Sequence, residues 1–134
     1  MYQEVSSNTR AVLALCSARP IAFHRYYLYL GINVSAALFL SQASYWSTNA
    51  ATISRGGWFY KIADEWQLET GLTRREQEGA RKKLKALGIL EEKRKGIPAK
   101  LYFRLDTNTL HTLLLKIARE QGKLPEDETQ TEKA

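Results

Sequence analysis

The stretch GLTRREQEGARKKLKALGILEEKRKGIPAKLYFR, residues 71–104, decides how this chain folds. It runs from a glycine stop into a capped basic helix, then through a second glycine, a strand, a basic turn and a returning strand. Thr73 and Glu76 stand three apart at the head of the helix. At that spacing hydroxyl and carboxylate satisfy each other's otherwise unpaired backbone amides. On a 3.6-residue period Thr73, Ala80, Leu84 and Leu87 share one face, while Arg74, Arg75, Glu78, Lys82 and Lys85 lie opposite and Arg81 sits on the flank. Gly88 ends the helix, residues 89–94 can run as a strand, and residues 95–100 carry the turn formers Gly96 and Pro98. Leu101, Phe103 and Leu105 then alternate with Tyr102 and Arg104, so the return strand should bury one face.

Immediately upstream, residues 62–70 read as a short helix with Ile62, Ala63 and Trp66 inward, stopped at Gly71. Trp58-Phe59-Tyr60, bounded by Gly56-Gly57, reads as a small strand that needs the later hairpin as its partner, and residues 48–57 before it read as a loop. Asn33 is a natural cap for a helix over residues 34–47 that is apolar almost all round, and such a helix belongs at the centre of the core. Pro20 suits the first turn of an aromatic-rich helix over residues 21–30, and a shorter helix is expected over residues 10–18. Beyond the hairpin, Asp106 or Thr107 caps a last helix to about residue 120, with Leu110, Leu113, Leu114 and Ile117 on one side. Residues 1–9 are expected to be flexible and the acidic residues 121–134 disordered, which leaves one domain over residues 10–120. The fold class is mainly α with a small antiparallel β-sheet, an α+β arrangement.

The chain of 134 residues has a net charge of +6, and its distribution matters more than its total. Residues 74–104 hold eleven Lys/Arg against four Glu, a local excess larger than that of the whole chain. Arg74 and Arg75 occupy the first helical turn, where the helix dipole disfavours cations by a few tenths to about 1 kcal/mol each, so stability does not account for them. Gly79 costs the helix interior about 1 kcal/mol relative to alanine and would permit close approach of another molecule. No apolar run is long enough to span a bilayer, no signal peptide is visible, and the single Cys16 reads as a small buried hydrophobe, which together point to the cytoplasm. Trp46, Trp58 and Trp66 fall beside apolar periodic positions and are expected in the core. No phosphate-binding glycine loop, nucleophile elbow, paired catalytic carboxylates or metal-ligand spacing is present, so no enzymatic activity, metal or cofactor is expected.

Taken as a set, Trp66, Gly71-Leu72-Thr73, the inward Ala80, Leu84 and Leu87, and Leu87-Gly88-Ile89-Leu90 resemble a winged helix-turn-helix domain, with the match covering residues 34–105. With RPIAFHRYYLYLG and GGWFYK ahead of it, the chain is similar to winged-helix modules of phage and plasmid replication proteins and of small mobile-element regulators. The resemblance implies double-stranded DNA as partner, with residues 73–87 in the major groove and a wing at residues 93–100 on backbone or minor groove. Bases would then be met by Arg74, Arg75 and Glu78, with Gln77 and Thr73 at the margin, and phosphates by Arg81, Lys82 and Lys85. In the wing the contacts would be Lys93, Arg94, Lys95 and Lys100, with Tyr102 placed against sugar-phosphate. A homodimer joined through the flanking helices would combine two half-sites, in the role of a transcriptional regulator or a replication or maintenance factor, in the cytoplasm or on the nucleoid. The alternative is a protein-interaction or oligomerisation module whose basic face meets an acidic partner.

Overall fold

The computed structural model describes residues 6–18 and 20–122. In chain order the elements are α1 (Ser7–Ala18), a 3-10 helix (Arg25–Leu30), α2 (Val34–Ser47), α3 (Ala50–Ser54), β1 (Trp58–Tyr60), α4 (Ala63–Thr70), α5 (Arg74–Ala86), β2 (Leu90–Lys95), β3 (Lys100–Leu105) and α6 (Thr107–Glu120). The chain is therefore mainly helical with one small three-stranded antiparallel sheet, an α+β fold.

The core is built on α2. Asn33 caps it by accepting the Ala36 amide at 3.0 Å, and Ala36, Ala37, Phe39, Leu40 and Ala43 are all buried. The alanines keep one side of α2 thin, and α5 lies against this helix more extensively than against any other element. Phe39 stacks on Trp66 of α4 at 4.0 Å, and Phe59 and Phe103 close around the same tryptophan. Each such ring contributes roughly 1.5–3 kcal/mol on burial, so this aromatic group is a large part of what holds the sheet to the helices.

The strands run in the order β1-β3-β2. Phe59 pairs with Phe103 and Leu90 with Leu105, so these four apolar side chains share the face turned to α2 and α5. The alternation of side chains then sends Trp58, Tyr60, Tyr102 and Arg104 to the opposite face. After β3, the Asp106 carboxylate accepts the Thr109 amide at 3.0 Å and opens α6, whose Leu110 is buried while Leu113 and Leu114 pack against the core. No helix among the described residues is long and apolar enough to cross a membrane.

Five expectations are corrected. Residues 21–24 are irregular and only Arg25–Leu30 coils, as a 3-10 helix, because the His24 amide is drawn to the Ser41 hydroxyl of α2 at 3.0 Å. The loop expected over residues 48–57 contains the single turn α3, capped by Asn49 through the Ala51 amide at 2.9 Å. Trp58 is half-buried on the outer face of the sheet, and Phe59 takes the core position. Cys16 is exposed, because α1 stands off the core. Residues 6–9, expected to be flexible, belong to α1 and its start, with the Ser6 hydroxyl accepting the Thr9 amide at 3.2 Å. Residues 1–5 and 123–134, and with them most of the acidic tail, lie outside the described residues.

Candidate nucleic-acid interface

The sharp change of direction between α4 and α5 is made by three residues. Gly71 has φ of +77°, a conformation that costs a side chain strain, and its amide closes on the Gln67 carbonyl at 2.7 Å. Leu72 is buried, and Thr73 caps α5. The Thr73 amide donates to Glu76 at 2.9 Å while its hydroxyl accepts the Glu76 amide at 3.2 Å. Those contacts from Thr73, backbone first, hold the Glu76 carboxyl below its ordinary range.

Gln77 is not at the surface. Its side chain amide donates to the carbonyls of Ala63 at 3.0 Å and Leu72 at 2.9 Å, so it ties the end of the turn to the start of α4 and cannot reach a base. It shares the inward face with Ala80 and Leu84, and four-residue spacing from Thr73 was the signal for that placement. Arg81 is likewise committed inside the molecule, bidentate to Glu92 of β2 at 2.6 and 3.3 Å with its guanidinium 5.9 Å from the Phe103 ring. Lys85 reaches the same carboxylate at 3.0 Å. Burial works against charge on Glu92, but the hydrogen bonds from Arg81 and Lys85 outweigh it and hold its carboxyl low. Glu92 alternates inward with Leu90, a position at which the strand pattern marks it, and it locks the basic helix to the hairpin.

What remains of the cationic set is open to solvent. On α5, Arg74, Arg75, Glu78 and Lys82 are exposed, and Arg74 makes only a 3.4 Å surface pair with Asp64. Among the described residues Arg75, Lys82, Lys83, Arg94 and Lys95 make no ion pair. On the hairpin, Lys95 and Lys100 form the last ladder pair before the turn, and Ile97 at the tip is fully exposed. A groove separates the two groups, with Arg74, Gln77 and Arg81 on its helix side and Lys100, Leu101 and Phe103 on its strand side.

Two of the expected site residues stand elsewhere. Tyr102 and Lys93 share the outer face of the sheet, turned away from α5, where Tyr102 meets Tyr60 at 5.6 Å and the Lys93 amine lies 4.1 Å from the Trp58 ring centre. Compared with protein-family models, with curated proteins and with solved structures, the chain matches none.

Proposed function

We propose that the protein binds double-stranded DNA as a winged helix-turn-helix, with α5 in the major groove and the β2–β3 hairpin as a wing on the backbone or minor groove. The observation that carries this reading is that exposed cations occupy both walls of one groove while Glu92 ties the walls together from inside. Arg74 and Arg75 lie at the end of α5 that recognition helices direct to base edges, and Lys82 is placed for phosphate. At the wing, Ile97 projects between Lys95 and Lys100, an apolar tip among cations that suits insertion into a minor groove. One such unit offers limited contact, and a homodimer would engage two half-sites. The role proposed with this binding is transcriptional regulation, or replication or maintenance of a mobile element.

The test is binding to fragments selected from genomic DNA, followed by fluorescence anisotropy on a recovered duplex across a salt series. If about five phosphates are neutralised, log K falls with log salt at a slope of roughly −4 to −5. Lys82→Ala with Lys95→Ala should remove one to two units of that slope, at about 0.9 per lost phosphate contact, whereas Arg74→Ala with Arg75→Ala should reduce the preference for the recovered duplex over an unrelated one. Salt-insensitive binding, or none to any duplex, sinks the reading.

A further inference from the structure

The outer face of the sheet meets the groove between helix and hairpin only along one edge, where Tyr60 and Lys100 line both, and Trp58, Lys93, Tyr102 and Arg104 do not line the groove. Register brings Trp58 beside Arg104 and sets Tyr60 and Lys93 on either side of Tyr102, so rings and cations alternate over one surface. Water-facing sides of antiparallel sheets are ordinarily polar, and the core does not require these rings, because Phe59 and Phe103 fill the inner side. The helices α2 and α5 lie on the other face, where Phe59, Leu90, Phe103 and Leu105 are buried. The Lys93 amine lies 4.1 Å and the Arg104 guanidinium 5.3 Å from the centre of the Trp58 ring, and the Lys100 amine 5.1 Å from that of Tyr60. Tyr60 and Tyr102 meet at 5.6 Å with their planes 45° apart. The arrangement is held in part by Gly57, whose φ is +93° and where a Cβ would come within 3.2 Å of the Arg104 stem. Glu91, paired with Arg104, is the carboxylate of this side, so the surface as a whole is cationic.

We propose that this face binds single-stranded DNA, with bases stacked on Trp58, Tyr60 and Tyr102 and phosphates held by Lys93, Lys100 and Arg104. Aromatic platforms interleaved with cations are what sequence-tolerant single-strand binding needs, since every base has a π-face and every nucleotide a phosphate. An exposed cation over a ring is held more weakly than a stacked base, so the lysines give up the rings and turn to the phosphates when a strand arrives. The choice of DNA rests on the duplex reading above and on continuity within β3. That strand runs without a break from Lys100 at the groove to Tyr102 and Arg104 on the face, so one strand leaving a duplex at the wing passes directly onto the rings. The protein then sits where paired DNA meets unpaired DNA.

Anisotropy on labelled oligothymidylate of about a dozen nucleotides tests this, beside a blunt duplex and oligouridylate of the same length. Trp58→Val with Tyr60→Val, which keeps β-forming side chains without rings, should weaken oligothymidylate binding roughly tenfold to a hundredfold, while Trp58→Phe with Tyr60→Phe should retain it. On the unaltered protein, photocrosslinking of iodouracil-substituted oligonucleotide should map to residues 58–60 or 100–104. No binding of oligothymidylate at low salt, crosslinks confined to α5, or tighter binding of oligouridylate overturns the proposal. Loss of single-strand binding with duplex binding intact in the unaltered protein counts against this face alone. Single-strand binding without any duplex binding sinks the reading of α5 and leaves this site standing.

Discussion

Lys61 is the most deeply placed cation among the described residues, with its side chain 4% exposed, and most of what makes this tolerable comes from one carboxylate. Glu69 accepts from Lys61, from Gln42 at 2.6 Å and from the Trp46 indole at 2.7 Å, and the Lys61 amine also lies 4.0 Å from the centre of the Trp46 ring. Glu69→Ala removes the partner and leaves the cation buried, so urea unfolding should show a loss of about 3 kcal/mol, near the low end for broken buried pairs because the Trp46 ring remains. Lys61→Met removes the buried charge itself and should cost less than Glu69→Ala; a larger loss in the methionine variant would show that the pair is a net stabiliser. At the other extreme stands Ile97, which touches water on all sides. Ile97→Ser should leave the unfolding free energy within about 0.5 kcal/mol. If the tip enters the minor groove, the same variant weakens duplex binding and reduces DNA bending measured by energy transfer between labelled ends, with the salt slope unchanged. Unchanged bending and affinity would confine the wing to backbone contact.

Among the elements, those whose ends carry their own chemistry were legible in the sequence. Asn33 fixed the start of α2, and Thr73 with Glu76 fixed that of α5, because caps act within one turn of the chain and need no tertiary partner. The hairpin was legible from its alternation and turn residues. The 3-10 helix was not, since the tether from His24 to Ser41 joins residues 17 apart and outweighs the local preference for an α-helix after Pro20. Nor was α3, a single turn too short for periodicity to register. Within the site, the cationic positions were visible but their allegiance was not. Arg81 and Lys82 are neighbours of the same charge, and only the inward turn of Glu92 on another strand makes one a brace and leaves the other open. Gly79 is the remaining anomaly of α5: nothing lies within 4 Å of where its Cβ would be, so packing does not demand a glycine. Gly79→Ala should therefore stabilise the protein by about 1 kcal/mol in thermal or urea unfolding. A concurrent fall in duplex affinity would mean that the DNA backbone approaches this notch, whereas unchanged affinity would leave the glycine without a binding role.

At the scale of the whole molecule, two part-buried ion-pair clusters that bind helices to neighbouring elements end on carboxylates held below their usual value of 4.5. Burial opposes charge on Glu69 and Glu92, and their hydrogen bonds to Lys61, Trp46 and Gln42 and to Arg81 and Lys85 prevail. Groups depressed in the folded state contribute stability that is complete above the unfolded value and lost as pH falls through the folded one. Thermal unfolding followed by circular dichroism should thus be nearly flat from neutral pH to about 5 and fall steeply below about 4.5, and Glu92→Gln should shallow the fall. A midpoint that declines instead between neutral pH and 6 would place the sensitive groups elsewhere. The remaining question of scale is assembly, and the structure moves it to α1. Leu110 is buried and Leu113 and Leu114 pack inward, so α6 spends most of its apolar face within the chain. By contrast α1 makes no extensive contact with the body, yet carries Val12 and Leu15 at 56% and 77% exposure. Its 12 residues are short for a helix that stands alone in water, and a second copy of α1 is the simplest cover for that face if the proposed homodimer on two half-sites forms. Sedimentation velocity should show a dimer that Val12→Asp with Leu15→Asp converts to monomer. Because α1 contributes little to the core, the monomer should keep its pH profile and lose about half of the salt slope on a two-site duplex, since half of the phosphate contacts go with the partner. A protein already monomeric at tens of micromolar, or a dimer that survives both aspartates, removes α1 from the interface.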